Sequence, residues 1–274
     1  RFTGGLGLTT VMSCMVFSGV SGSAVADASA LGKVLIPGMK RQGYDGGFAA
    51  SVTAAASVMG PIIPPSIPLV IYGLSVGKGV SVAALFLGGV IPGLMLALGL
   101  SIVVYVIAKK RNYPKHEAVP FRALVAAAGQ AGWALFMPVL ILVGITGGIV
   151  TVTESAAIAV LYAAFVGMVI HRELTWRNIG PIFVQTALDT AVVMIIIAFA
   201  SGFGWLMAVS GLPRQVAGLI TSISDNPLII LLMINGLLLV VGLFMEAIAA
   251  MIILIPVLIP IVEAAGIDLV HFGL

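Results

Sequence analysis

The chain has 274 residues, 61% hydrophobic and 8% charged, with a formal net charge of +3. A soluble domain carries about 25% charged residues, so this composition excludes a water-soluble enzyme or binding module and points to a polytopic helical membrane protein. The apolar runs are too long and continuous for the ~10-residue alternating strands of a membrane barrel, and cations confined to short loops reflect membrane topology rather than a nucleic-acid surface.

Cys14 is the single cysteine, so no intrachain disulfide is possible. His116, His171 and His271 lack metal-ligand spacing, and no transition-metal site is expected. Arg1 opens inside apolar sequence without a signal-peptide pattern, and Leu274 closes as another apolar run begins, so the chain reads as a piece of a longer protein.

Residues 5–18 and 24–39 are apolar segments too short to cross a bilayer separately, which takes ~20 residues. The small, hydroxyl-rich tip Ser18-Gly19-Val20-Ser21-Gly22-Ser23-Ala24 joins them. Together they predict a re-entrant helical hairpin, with one kinked crossing as the alternative. Lys33, Lys40 and Arg41 place its open end at the water interface. Residues 47–59 and 67–77 flank Gly60-Pro61-Ile62-Ile63-Pro64-Pro65-Ser66. Proline lacks an N–H and clashes with the preceding turn, so Pro61, Pro64, Pro65 and Pro68 cannot all sit in one regular helix. An unwound crossing is expected, with a loop between two separate helices as the alternative.

Residues 80–108 predict a long span ending in Lys109-Lys110-Arg111, with Lys115 and Arg122 beyond, a loop expected to face the cytoplasm. Residues 132–149 predict the next span, where Gly144 and Gly148 are spaced for close helix approach. The segment Thr151–Ser155 interrupts it, and Glu154 is expected to cap the helix beginning there. Residues 156–170 then return to His171, Arg172 and Arg177. Residues 181–209 carry Asp189, expected to pair with another helix or face water. Arg214 and the turn Ser224-Asp225-Asn226-Pro227 come next. Residues 228–241 and 248–262 flank Gly242-Leu243-Phe244-Met245-Glu246-Ala247, a second hairpin, with Met233, Met245 and Met251 expected as core filler.

A shift of 223 positions (246 − 23) lays the first hairpin on the second. Gly19 meets Gly242, Ala24 meets Ala247, Pro37 meets Pro260, Gly43 meets Gly266 and Asp45 meets Asp268. Apolar matches are cheap in such a chain; proline, glycine and aspartate matches at one offset are not. Paired repeats with broken helices characterise secondary transporters, whose sites lie between the halves.

In hydrocarbon every backbone N–H and C=O needs a partner, so non-helical backbone survives only where protein buries it or it lines a wet cavity. The two early interruptions therefore mark an ion and substrate site. Hydroxyls of Ser18, Ser21 and Ser23 and free carbonyls of the unwound backbone suit a hard cation such as Na⁺, although such serines also bond back to their own helix. Helix N-termini beside the tip suit an anionic substrate group. Asp27 follows the tip by one turn, and an ionisable residue at membrane depth points to function. Glu246 holds the equivalent of Ser23. No HExxH, Walker or GxSxG motif occurs, so neither enzymatic hydrolysis nor ATP coupling has residues to carry it.

These residues resemble the large membrane subunit, DctM type, of tripartite ATP-independent periplasmic (TRAP) transporters. The likeness rests on Ser21-Gly22-Ser23-Ala24-Val25-Ala26-Asp27, on Leu35-Ile36-Pro37 through Gly43-Tyr44-Asp45, and on Gly60 to Pro68. Thr153-Glu154-Ser155-Ala156-Ala157, Gly266-Ile267-Asp268 and His271-Phe272-Gly273 extend it.

The resemblance implies an all-α polytopic protein with internal repeats, re-entrant hairpins, unwound crossings and an elevator-type transport domain. It implies a bacterial inner-membrane, sodium-coupled importer of an organic anion such as a C4-dicarboxylate, with Na⁺ as coupling ion and no other cofactor. A small membrane subunit and a periplasmic substrate-binding protein are the implied partners. By motif position the first Na⁺ site falls on Ser21, Gly22 and Ser23, beside Ser18, with Gly60, Pro61, Pro64 and Pro65 of the break. Ser23, Asp27 and Ser66 become substrate-facing, and Gly242 and Glu246 mark the second tip. The expected division is 1–78 (hairpin and broken helix), 79–180 (connecting spans) and 181–274 (second repeat). A divalent-anion/sodium symporter without a binding protein, and a channel or structural membrane subunit, are the alternatives.

Overall fold

The computed structural model describes residues 4–77, 79–114, 121–211, 215, 218 and 226–274. Arg1, Lys115, Arg214 and the Ser224-Asp225 half of the expected turn lie outside the described residues. Among the described residues all regular structure is helical: α1 (Gly5–Ser21), α2 (Ala24–Arg41), α3 (Gly46–Ser57), α4 (Ile67–Val76), α5 (Val82–Lys110), α6 (Phe121–Thr146), α7 (Val152–Phe165, continued by a π turn, Val166–Ile170), α8 (Trp176–Ser210), α9 (Pro227–Gly242), α10 (Ala247–Ala264) and α11 (Leu269–Gly273). Among the described residues four stretches are long and apolar enough to cross a membrane: Val82–Lys110, Val152–Ile170, Trp176–Met207 and Ala247–Ala264. Both α1 and α9 are apolar but shorter.

The chain divides into two compact units, Arg1–Ile67 with Phe86–His171, and Pro68–Leu85 with Arg172–Leu274. In the first, α1 and α2 form an antiparallel hairpin. Thr10 Oγ1 lies 3.4 Å from Met39 Sδ near its open end, and Ser18 meets Asp27 near its closed end. Helix α3 packs on both arms, because Ala49, Ala56 and neighbouring small residues let backbones approach closely. Val11, Cys14, Met39, Phe48, Met59 and Val104 belong to the buried core that ties α3 and α5 to the hairpin.

The open end is fastened by aromatics. Tyr44 and Tyr113 stack with ring centroids 4.4 Å apart, and the Asp45 N–H donates to the Tyr113 hydroxyl at 3.3 Å. Arg111 lies 3.6 Å from Asp45 and 5.8 Å above the Phe48 ring. Asp45 caps α3, its carboxylate accepting from Phe48 N–H at 2.9 Å, after Gly43 turns the chain at φ +83°.

Two expectations change here. Helix α6 begins at Phe121 rather than 132, because the alanines between 123 and 131 are the best helix formers and carry the helix past Arg122 and Gln130. Gly144 and Gly148 serve a turn, not a helix–helix face. Gly148 sits at φ +65°, and Ile149 and Val150 both donate to the Gly144 carbonyl, at 3.0 and 3.2 Å. A Cβ on Gly144 would meet Val150 Cγ2 at 2.9 Å. Helix α7 then opens with a capping box: Glu154 N–H donates to Thr151 Oγ1 at 3.3 Å, and Thr151 N–H donates to Glu154 Oε2 at 2.7 Å. The Thr151–Ser155 segment is thus a helix start, with Glu154 as its cap.

In the second unit α8 packs on α10, with Gly204 against Pro256. Ile230, Ile234, Leu258, Ile261 and Val262 form one apolar cluster of α9 and α10. Gly266 (φ +67°) ends the run after α10, and Asp268 caps α11 by accepting from His271 N–H at 2.8 Å. The Tyr72 hydroxyl of α4 donates to the Leu269 carbonyl at 2.6 Å, and a Cβ on Gly273 would strike the Tyr72 ring at 2.3 Å. Asp189 is exposed and accepts from Gln185 on its own helix at 2.9 Å.

Candidate functional site

Helix α1 stops because Gly22 adopts the left-handed conformation (φ +61°), its N–H bonding back to Ser18 O at 3.0 Å. A residue with a Cβ pays about 1–2 kcal/mol there, which glycine avoids. Ser23 is extended and caps α2, its hydroxyl accepting from Ala26 N–H at 3.4 Å. The turn is therefore only Gly22 and Ser23. Gly19, Val20 and Ser21 remain helical, a narrower tip than Ser18–Ala24, because glycine and serine are tolerated in a helix whose Ser18 hydroxyl can reach back to Cys14 O at 2.7 Å.

Asp27 occupies the first turn of α2, where the positive end of the helix favours a carboxylate. It is fully buried. Ser18 Oγ lies 2.9 Å from its Oδ2, and Ser21 Oγ donates to its Oδ1. Ser18 carries one hydroxyl hydrogen, so it serves Cys14 O or Asp27 but not both at once. Among the described residues, no lysine or arginine forms an ion pair with Asp27. Burying a carboxylate is costly unless it is hydrogen-bonded, and here the two serine hydroxyls and the N-terminal end of α2 supply that compensation.

The proline-broken segment closes on this turn. A Cβ on Gly60 would stand 2.9 Å from Asp27 Oδ2 and 2.9 Å from the Ser23 carbonyl carbon, so only glycine lets the two backbones meet. A Cβ on Gly22 would stand 3.0 Å from Ile67 N and 3.1 Å from Pro65 O. Gly19 faces Pro64 O and the Pro138 ring of α6, each 3.6 Å from where its Cβ would be. Pro64, Pro65 and Pro68 withhold the N–H groups that a helix would offer to the carbonyls of Gly60, Pro61 and Pro64. Ser66 Oγ donates to Pro61 O instead. Pro64 O lies against Gly19 in the last turn of α1 and Pro65 O against Gly22 of the hairpin turn, oxygens without a formal charge.

Ser18, Ser21, Gly22, Ser23, Asp27, Gly60, Pro64, Pro65 and Ser66 thus gather in the first unit, with Pro61 held through its carbonyl. Ser23 is half-buried, whereas Asp27 and Ser66 are closed off from water. Ile67 and Pro138 complete the surroundings and were missed in the sequence. Pro138 had a signal, as a proline inside an apolar span, and Ile67 stands in the Gly60–Pro68 stretch that carries the family likeness. Gly242 and Glu246 belong to the second unit, at the exposed turn between α9 and α10. There Glu246 caps α10, its Oε2 accepting from Ile248 N–H at 2.8 Å and Ala249 N–H at 3.2 Å.

The family description "Tripartite ATP-independent periplasmic transporter, DctM component" matches residues 1–274. The chain is 43% identical over 273 residues to the sialic acid TRAP transporter large permease protein SiaM of Vibrio cholerae, covering 100% of this chain and 64% of that protein. It is 41% identical to the isethionate TRAP transporter permease protein DctMQ of Oleidesulfovibrio alaskensis, covering 99% of this chain and 42% of that one. It is 37% identical to the C4-dicarboxylate TRAP transporter large permease protein DctM of Pseudomonas aeruginosa, covering 99% and 63%. The chain spans less than two thirds of the length of these relatives. Matched along its whole length, it belongs to the DctM component family of tripartite ATP-independent periplasmic transporters, multi-pass proteins of the bacterial inner membrane.

Proposed function

We propose that this chain forms the ion- and substrate-binding part of a permease that imports an organic anion with sodium. A periplasmic binding protein delivers the anion, and a small membrane subunit completes the transporter. The observation that carries the reading is the closure of the Gly60–Ser66 break on the Gly22–Ser23 turn, beside a buried carboxylate held by serine hydroxyls. Na⁺ takes the carbonyls of Gly60, Pro64 and Pro65 and the hydroxyls of Ser18 and Ser21, and it neutralises Asp27. Ser23 meets the substrate at the rim, and Asp27 and Ser66 become accessible as the turn and the break separate. A C4-dicarboxylate or related carboxylate is the proposed cargo, in keeping with relatives named for sialic acid, isethionate and C4-dicarboxylate, all of them anions.

We further infer that the hairpins are copies of one element, which moves in an elevator-like cycle. Helices α2 and α10 share boundaries at the offset of 223 (247 − 24 and 264 − 41), and so do their left-handed glycines (266 − 43) and aspartate caps (268 − 45). Uptake into proteoliposomes tests the transport reading. The permease with its small subunit should accumulate the anion only with external sodium and a cognate binding protein. Uptake with sodium alone would favour a binding-protein-independent symporter, and uptake needing neither would mean a channel.

A further inference from the structure

The outer face of α1, opposite its buried stripe, lines an open groove of about 680 Å³ with α2 and α6. Leu8, Met12, Val16 and Val20 supply its floor, and Leu31 and Leu135 its walls. Met12 and Val16 are 50% and 44% exposed, so among the described residues nothing covers this apolar surface. Thr9 and Ser13 also border it, the Thr9 hydroxyl donating to Gly5 O at 2.9 Å. From Gly5 to Val20 the helix rises about 22 Å, enough to run the ~15 Å depth of one hydrocarbon leaflet.

The Gly5 end of this groove adjoins a concentration of positive charge. A Cβ on Gly4 would stand 2.3 Å from the Ala108 Cβ, so α1 starts against the last turns of α5, just before Lys109, Lys110 and Arg111. The Tyr44–Tyr113 stack and the Asp45–Tyr113 hydrogen bond bring the end of α2, with Lys40 and Arg41, to the same edge. All five cations are exposed. The carboxylate among them, Asp45, is engaged by Phe48 N–H and by Arg111.

We infer that the groove holds an acyl chain of an anionic phospholipid whose phosphate is bound by the cations at the ends of α2 and α5. An apolar trough of leaflet length ending at a net positive edge complements both halves of such a lipid, and neither half of a neutral or wholly apolar ligand explains the pair. The inference is independent of the transport reading, because it concerns the far face of α1 and a binding readout.

Lipid retention by the purified permease tests it, measured by mass spectrometry as phosphatidylglycerol plus cardiolipin over phosphatidylethanolamine. The wild-type protein should exceed the ratio of the membrane it came from. Replacing Arg41, Lys109 and Lys110 by Gln should remove most of the enrichment, returning the ratio towards that of the source membrane. Met12→Trp with Val16→Trp, which fills the groove from exposed positions, should remove the enrichment with every cation in place. Asp45→Asn keeps a capping side chain and removes the acid, and it should raise the enrichment. No enrichment in the wild type would overturn the inference, as would wild-type retention by the Gln variant. Retention by the Trp variant would also overturn it, by showing attraction to the headgroup alone. Unchanged size-exclusion profiles of the variants establish that the fold is intact.

Discussion

Helices α2 and α10 are both 18 residues long, and each is followed by a left-handed glycine and an aspartate cap, yet the turns that precede them are unlike. The first turn is two residues, and the Gly60–Ser66 break presses against it. The second runs through Leu243 and Phe244, 79% and 83% exposed, and Met245, expected as core filler, is 37% exposed as well. Gly22 has backbone atoms 3.0 and 3.1 Å from a would-be Cβ, whereas Gly242 has nothing within 4 Å. A serine hydroxyl caps one helix and a glutamate carboxylate the other. What sets the first hairpin apart is the proline-broken backbone that closes on its turn beside a buried carboxylate, and the proposed site rests on that closure.

The largest expected effect separates the two acids. Asp27→Asn should lower sodium-dependent uptake about a hundredfold, about 2.7 kcal/mol, with normal expression, while Glu246→Gln, which keeps the cap, should change uptake little. Equal losses in proteoliposomes would erase the contrast. Next come the glycines. Gly22→Ala meets both left-handed strain and the Pro65 carbonyl and should reduce uptake about tenfold, about 1.4 kcal/mol. Gly242→Ala, in open space, should stay within about 0.5 kcal/mol of wild-type stability. Ser23→Ala removes a cap and a proposed substrate contact together; stability in thermal unfolding should fall by about 1 kcal/mol, and the apparent affinity for the transported anion should weaken besides. The smallest effects should be shared: Asp45→Ala and Asp268→Ala should each cost about 1 kcal/mol of stability in unfolding experiments. Loss at one position only would argue against a common origin for the two hairpins.

Much of this was legible in the sequence because glycine and proline act locally. Four prolines within eight residues forbid a helix wherever they fall, and the small, hydroxyl-rich run Ser18–Ala24 between two short apolar segments marks a tip. The width of the turn was not legible, since Gly19 and Ser21 are compatible with a helix and only packing decides. The Gly144/Gly148 pair misled for the same reason: spacing suits a helix face or a turn alike, and left-handed φ at Gly148 chose the turn. The assignment of α4 and α3 to different units is set by long-range packing that no local pattern encodes. The meeting of Gly60 with Asp27 likewise joins residues 33 apart (60 − 27).

The central claim is that Na⁺ is held between the Gly22–Ser23 turn and the Gly60–Ser66 break, at Asp27. Thermal unfolding of the purified permease in sodium against potassium, for wild type and Asp27→Asn, tests it most directly. Sodium at a hundred times its dissociation constant should stabilise the wild type by about 2.7 kcal/mol relative to potassium, and the advantage should largely vanish in Asp27→Asn. Identical melting in the two salts, or an undiminished sodium advantage in Asp27→Asn, would contradict it.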